Sequence, residues 1–381
     1  MIKFVVTMRL NHLTLNNFKN IAQASLDFSP NVNCFLGRNG MGKSNLLDAI
    51  FYLSFCRSFS GVTDAMLMRR GEDFLMAKAT YTRLGVVEEL SLGMTRGRRK
   101  SLKRGGKEYN RLSDHIGLFP IVMSAPQDID LIRGSGEERR RWMNMVISQS
   151  DKRYLDALIR YNAGVEQRNR LLRAGIVDHT LYEAIEMAMA SAAAYIHSAR
   201  AKWVEELSCL AGKYYKAIAA EASEEVQLKF RGSLQNTDSD TPFSLLDLLD
   251  SARRHDELVR HTSVGPHRDD IEIALDGMPM RRTGSQGQCK TFTTALRMAQ
   301  YEFLRRNSGF FPLLLLDDVF DKLDSSRVEK IMELVTGSEF GQIFVTDTNR
   351  KHLDEIMAHT KGHYSLWSVD SGSFNPIINR P

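Results

Sequence analysis

Eight consecutive residues, Gly37, Arg38, Asn39, Gly40, Met41, Gly42, Lys43 and Ser44, have the types and spacing of a phosphate loop: a glycine and four residues ahead of Gly-Lys-Ser. Glycines there let backbone N–H groups curl around phosphate oxygens. Lys43 has the reach and charge for the terminal phosphates, and the Ser44 hydroxyl is a ligand for Mg2+. These residues predict the binding of ATP with magnesium. Leu313–Leu316 followed by Asp317 and Asp318 reads as a buried parallel strand ending in carboxylates. In phosphate-loop enzymes the first such aspartate holds magnesium and a second acid orients or deprotonates the attacking water, which gives Asp317 and Asp318 those parts. Gln127, after the short buried run Ile121–Ser124, is placed to sense magnesium and γ-phosphate, or else sits in a plain strand-to-helix turn.

A third group is Ser285, Gln286, Gly287 and Gln288, ahead of a helical run through Phe292, Leu296, Ala299 and Phe303. A hydroxyl and free N–H groups at a helix start make an anion site. Lys43 already serves one triphosphate, so a second anion site on the same chain is best used on the nucleotide of another copy. This predicts an ATP-dependent homodimer in which Ser285 acts across the interface.

The elements that must position these groups are legible as patterns. Asn33–Leu36 reads as a buried strand end entering the phosphate loop, and Asn45–Phe55 as a helix leaving it, apolar at Leu46, Leu47, Ile50 and Leu53. Arg9–Leu15 and Ala24–Phe28 alternate as a hairpin with a turn at Asn16-Asn17. Leu75–Tyr81 and Val86–Met94 predict further antiparallel strands. Arg96–Lys107 then holds seven lysines or arginines in twelve residues and no acid. Such a basic hairpin tip meets a phosphate backbone or is a solvated face.

From Glu137 helical periods replace strand periods. Leu155, Leu158, Asn162, Val165, Asn169 and Leu172 step by three and four until Gly175; Leu181, Ile185, Ala188, Ala192, Tyr195 and Ala199 keep the same steps, which resume at Trp203, Leu207, Leu210, Tyr214 and Ala217. The two runs predict an antiparallel helix pair, the longer of about 40 residues spanning roughly 60 Å. Asn236–Pro242 reads as a mobile polar loop, Phe243–Val259 as a returning helix, Asp270–Leu275 as a strand, and Gln342–Thr346 as a buried strand ending at Asp347. Phe320–Asp324 carries an acidic turn into the next helix. For the loop strand and the aspartate strand to share one sheet, the helices between them must be an insertion. The expected division is residues 1–136 as a head lobe with phosphate loop and antiparallel strands, 137–262 as a helical arm, and 263–381 as the rest of the head.

Composition sets the limits. The chain has 381 residues, 43% of them apolar, as expected for about two soluble domains. Lysine and arginine exceed aspartate and glutamate by 51 to 46, which permits nucleic-acid binding without demanding it. Cysteines 34, 56, 209 and 289 form no Cys-x-x-Cys pair and read as buried small apolar residues in a reducing cytosol. No run approaches the roughly 20 apolar residues needed to span a bilayer.

The phosphate loop, the Ser285–Gln288 segment and the Asp317-Asp318 strand together resemble the ABC-type ATPase heads of the SMC class. Leu13–Asn20, Tyr161 with Gln167-Arg168-Asn169, and Val264-Gly265-Pro266-His267-Arg268-Asp269-Asp270 extend the likeness to nearly the whole chain, which closely resembles the RecF family of bacterial recombination mediators. The resemblance implies an α/β, ABC/SMC-type phosphate-loop ATPase head carrying an inserted antiparallel, coiled-coil-like helical arm. It implies a cytoplasmic, weak, DNA-stimulated ATPase of DNA replication and repair that dimerises on ATP and binds DNA at gaps and single-strand/double-strand junctions. With RecR and RecO as partners it would help to load RecA and support the SOS response. Three positions depart from the family pattern: Gln127 stands where glutamate is usual, Asn144 where aspartate is common, and Asp347 where ABC ATPases place a γ-phosphate-sensing histidine, which the RecF family also generally lacks. The rival readings are a transporter-type nucleotide-binding subunit, which needs a compact helical subdomain for a membrane partner, and another SMC-like DNA-tethering ATPase, which needs a far longer coiled coil.

Overall fold

The computed structural model describes residues 7–219, 224–235, 244–321 and 323–380. The expected loop over Asn236–Pro242 and Lys322 of the acidic turn lie outside them. The chain begins β1 (Met8–Phe18), β2 (Ile21–Asp27), β3 (Val32–Leu36), α1 (Lys43–Phe55), α2 (Asp64–Leu67), β4 (Phe74–Arg83), β5 (Val86–Thr95), β6 (Ser101–Arg104), β7 (Lys107–Glu108) and β8 (Ile121–Ser124). It continues with α3 (Asp130–Arg133), α4 (Gly136–Ser150), α5 (Lys152–Ala174), α6 (His179–Ala219), β9 (Val226–Arg231), α7 (Leu245–Val259), β10 (Asp270–Leu275), β11 (Met278–Pro279) and α8 (Met280–Thr283). It closes with α9 (Gln286–Ser308), β12 (Leu313–Asp317), α10 (Ser325–Val335), β13 (Ile343–Asp347), α11 (Arg350–His359), β14 (Tyr364–Asp370) and β15 (Ser373–Arg380).

These elements gather into two compact units. The first takes residues up to 128, the end of α6 from Tyr214, and residues from Lys290 onward. It holds two six-stranded sheets, an antiparallel one in the order β2-β1-β4-β5-β6-β7 and a mixed one in the order β15-β14-β3-β13-β12-β8. In the mixed sheet β14, β3, β13, β12 and β8 are parallel neighbours, so the loop strand and the aspartate strand share the sheet with β13 between them. Continuous burial of Leu313–Leu316, Ile343–Val345 and Ile121–Val122 explains their unbroken apolar runs. α1 packs on β8, β12 and β13, and α11 on β3 and β13.

The first hairpin differs from expectation at its turn. β1 runs through Asn16-Asn17, because Asn17 takes a φ of 56° without leaving the strand and Phe18, fully buried, pairs with Ile21. The turn is Lys19-Asn20, three residues later. The basic segment is also divided. Arg96 bonds Asp73 at 2.8 Å, Lys100 bonds Asp64 at 2.8 Å, and Arg104 forks onto Glu88 at 2.7 and 2.8 Å. Arg98, Arg99, Lys103 and Lys107 are exposed.

The second unit takes residues 129–213 and 223–289, with the antiparallel sheet β11-β10-β9 and the helices α3 to α8. α5 and α6 run antiparallel, since Asp151 meets Tyr195, Tyr154 meets Arg200, and Arg168 meets Glu186. At Gly164 an added Cβ would lie 2.4 Å from Met189 Cγ, so glycine lets the helices cross there without displacing the methionine. The expected stripe is buried at Leu172, Ala192, Trp203, Leu207, Leu210 and Tyr214, and elsewhere the buried face is turned one residue from it. α5 buries Tyr154, Ala157, Tyr161, Gly164 and Arg168, and α6 buries Tyr182, Glu186, Met189, Ala193, Ile196 and Arg200. The cause is electrostatic. Arg168 is fully buried because Glu186 and Asp256 accept from it at 2.8 and 2.6 Å, and Arg200 because Asp269 accepts at 2.7 Å.

The Gly265–Asp270 run is the other half of this clasp. Arg139 forks onto Asp270 at 2.6 and 2.9 Å, His267 Nδ1 and the Tyr161 hydroxyl are 2.7 Å apart, and Gly265 has a φ of 118°. Asp269, Asp270 and His267 thus each hold a partner within this unit. Asn144 belongs to the same network: its Oδ1 accepts from the Tyr154 hydroxyl at 2.6 Å and from Arg200 at 2.8 Å. Cys34, Cys56 and Cys289 are buried as expected, but Cys209 is exposed, on the outward face of α6 between buried Leu207 and Leu210. Among the described residues no helix is long and apolar enough to cross a membrane.

Candidate nucleotide-binding site

β3 delivers the chain to the phosphate loop, and neighbours on three sides hold the loop's path. Gly37 N–H donates to the Asp347 carbonyl at 3.3 Å, and a Cβ on Gly37 would stand 2.4 Å from the Val369 carbonyl oxygen of β14, so the first loop position admits only glycine. Gly42, at φ 112°, turns the chain into α1. α1 carries no acid in its first turn, which leaves its N-terminal N–H groups and dipole open to an anion. Two hairpin turns brace the loop's back. Asn20 donates to the Gly40 carbonyl at 3.5 Å and accepts from Asn45 at 2.8 Å, while Gly372 N–H donates to the Met41 carbonyl at 2.7 Å.

The side chains then converge. Lys43 is buried and folds back to donate to the carbonyls of Gly37 at 2.5 Å and Arg38 at 3.1 Å. Burial lowers its ammonium from the ordinary lysine value, against the raising effect of Asp318, Asp317 and Asp347. Ser44 donates to Asp317 Oδ1 at 2.8 Å across 273 residues of sequence. Thr346 Oγ1 donates to the same oxygen at 2.7 Å and accepts from the Asp318 N–H at 3.1 Å. Asp318 follows with a φ of 50°, a left-handed conformation rare outside glycine and characteristic of functional turns. Burial first, and for Asp318 the neighbouring Asp347 next, raise both carboxyls above the usual carboxylate value.

This donor set fits magnesium with a nucleotide. Mg2+ takes one or two protein oxygens and completes its octahedron with phosphate and water. A hydroxyl and a carboxylate 2.8 Å apart at a helix N-terminus supply those two.

The other predicted residues fall elsewhere on the fold. Gln127 is exposed at the end of β8, which neighbours the aspartate strand; the adjacent Asp128 is buried and held by Arg297 at 2.5 and 2.9 Å. Ser285–Gln288 lie in the second unit, where Ser285 N–H donates to Gln288 Oε1 at 2.7 Å and Gln288 N–H to Ser285 Oγ at 3.2 Å. That reciprocal capping box leaves Ser285 exposed at the start of α9. Sequence reasoning did not single out Thr346, the Asn20 turn as a brace, or His352, whose Nδ1 lies 2.8 Å from Asp347 Oδ2. A threonine directly before an acid at a buried strand end was the one available signal.

Residues 9–80 match the RecF/RecN/SMC N-terminal domain family. A curated DNA replication and repair protein RecF from Parabacteroides distasonis is 46% identical over 97% of this chain and 100% of its own length. The chain belongs to the RecF family. A second RecF, from Bacteroides fragilis, is 44% identical over 97% of this chain and 99% of its own. Among solved structures, the recombination mediator protein RecF with ATP, of the RecFOR pathway, superposes with a TM-score of 0.86 at 28% identity, covering 97% of this chain and 99% of that one. The Smc head domain of Pyrococcus furiosus, with an extended coiled coil, superposes at a TM-score of 0.57 and 16% identity over 98% of this chain and 97% of that one. The RecF-family fold is thus an ABC/SMC-type ATPase head, an α/β architecture with inserted antiparallel helices.

Proposed function

We propose that this chain is an ATP-switched DNA-binding protein of recombinational repair and replication, a slow, DNA-stimulated ATPase whose two copies close on ATP and reopen on hydrolysis. The observation that carries the reading is the contact of Ser44 with Asp317 beside Lys43 at the α1 N-terminus, which joins the two sequence-distant halves of an ATP site. Arg38–Met41 N–H groups and Lys43 receive the phosphates; Ser44 and Asp317 hold Mg2+, which when bound neutralises phosphate charge. Asp318 takes a proton from the attacking water as its oxygen bonds the γ-phosphorus and the bond from that phosphorus to the bridging β-phosphate oxygen breaks. Gln127 senses this event from the turn that follows β8. Ser285, Gln286, Gly287 and Gln288 meet the nucleotide of a second copy.

In this reading residues 1–136 and 263–381 form the head and 137–262 the arm. The four exposed cations Arg98, Arg99, Lys103 and Lys107 meet the DNA backbone, at gaps and single-strand/double-strand junctions. RecR and RecO are the partners with which it helps to load RecA in the cytoplasm and supports the SOS response, in line with relatives named for DNA replication and repair and for the RecFOR pathway. The test compares Lys43→Arg and Ser285→Arg with wild type for ATP-dependent dimerisation by sedimentation velocity. Both variants stay monomeric with ATP if the reading holds, and dimers in both would end it.

A further inference from the structure

The ends of β12 and β13 bring three carboxylates, Asp317, Asp318 and Asp347, within electrostatic reach of Lys43. A triphosphate arriving there adds several negative charges, so each carboxylate needs a fixed donor. Asp317 has Ser44 and Thr346. Asp347 is buried, its backbone carbonyl accepts from Gly37 at the start of the phosphate loop, and its Oδ1 accepts from Asn349 N–H at 2.7 Å. Its Oδ2 faces His352 Nδ1 at 2.8 Å. A carboxylate only accepts, so the imidazole proton sits on Nδ1 and is donated to Asp347. The ring also stands edge-on to Phe320, two residues past Asp318, with centroids 5.8 Å apart. His352 therefore touches both connections that leave the catalytic edge of the sheet, β12–α10 and β13–α11. Asn349, the cap of α11, accepts from Lys351 N–H at 3.0 Å and sets its Nδ2 3.4 Å from His352 Nε2, so the ring is held from the cap on one side and turns its Nδ1 to Asp347 on the other.

We propose that His352 is a positioning residue for ATP hydrolysis, which by donating to Asp347 fixes and screens that carboxylate so that the γ-phosphate and its water sit correctly against Asp318. The inference rests on the reading of the chain as an ATPase. It places the imidazole of this site on the first turn of α11, acting through the aspartate at the strand end.

The test is steady-state ATP hydrolysis by the full chain, with nucleotide affinity from a fluorescent ATP analogue and the melting temperature measured alongside. His352→Ala lowers kcat by about 10- to 100-fold, the usual cost of losing a group that orients a directly acting one, while affinity stays within about threefold. His352→Asn restores kcat to within about threefold of wild type, because its amide nitrogen takes the place of Nδ1 and still donates to Asp347. In an Asp347→Asn background, His352→Ala changes kcat no further. Wild-type kcat in His352→Ala overturns the proposal, as does an asparagine variant no better than alanine, or a joint loss of affinity and melting temperature. These outcomes leave the ATPase reading standing. Wild-type turnover that is indifferent to Lys43→Ala overturns that reading and the proposal with it.

Discussion

Replacing Thr346 by valine keeps the shape of a fully buried side chain and removes one hydroxyl, which donates to Asp317 at 2.7 Å and accepts from Asp318 N–H at 3.1 Å. Neither partner is orphaned. Asp317 keeps Ser44 at 2.8 Å, and Asp318 N–H keeps the Thr346 carbonyl at 3.2 Å. The cost therefore lies near the low end for a bond to a charged group plus a neutral one, about 2 kcal/mol, small against a stability of about 5–15 kcal/mol. If that orientation is needed only as the γ-phosphate transfers, the same 2 kcal/mol appears as an about thirtyfold fall in kcat. The assay is single-turnover ATP hydrolysis at saturating Mg2+ and ATP, with thermal denaturation as the control for folding. Unchanged turnover in a variant that has lost about 2 kcal/mol of stability would show that Thr346 only holds the sheet together and would refute the role assigned to the Asp317–Thr346–Asp318 chain.

Three more outcomes are expected from other parts of the molecule. Burial lowers the His115 imidazole to about 4, with Nε2–H donating to the Leu53 carbonyl at 2.7 Å. The folded chain thus stays neutral there while the unfolded chain protonates near 6.5, so this contribution is fully present above about pH 6.5 and declines toward pH 4 by about 1.4 kcal/mol per unit, about 3 kcal/mol in all. Denaturant titrations at pH 7, 6 and 5 should show that difference vanish in His115→Gln, and parallel pH slopes for the two proteins would contradict it. Asp269→Asn leaves the buried Arg200 guanidinium without its carboxylate and should cost about 3–5 kcal/mol by denaturation, with ATP affinity unchanged; a loss below about 1 kcal/mol would refute the clasp. Changing Arg98, Arg99, Lys103 and Lys107 to glutamine should flatten the salt dependence of DNA binding by about 0.9 in log–log slope for each phosphate no longer neutralised, and an unchanged slope would remove this tip from the interface.

How much of the molecule was legible depended on whether a residue's role is local. Gly37–Ser44 and Leu313–Asp318 announce themselves because loop curvature, helix start and strand burial are written in neighbouring residues. The faces of α5 and of the first half of α6 were misread by one position over most of their length, because the pattern counts leucines and alanines, whereas the fold buries Arg168, Glu186 and Arg200; from Trp203 to Tyr214 the expected face is the buried one. Their burial is bearable only through Asp256 and Asp269, far away in sequence. β9 carried a readable alternation at Val226, Leu228 and Phe230, yet its pairing with β10 is set by long-range contact. The Asn16-Asn17 turn failed for the opposite reason: local turn chemistry was overridden by burial of Phe18. Thr346 and His352 are ordinary until the strand ends bring them to Asp317 and Asp347.

Under the proposed function each chain carries half of a nucleotide site that a second copy completes. Mixing measures it directly. Lys43→Ala and Ser285→Arg proteins are each assayed for ATP hydrolysis alone and then combined in equal amounts. In a mixed dimer the intact phosphate loop of one chain meets the intact Ser285 of the other, so two inactive proteins should recover hydrolysis together. Turnover in the mixture no greater than the sum of the two alone would contradict it.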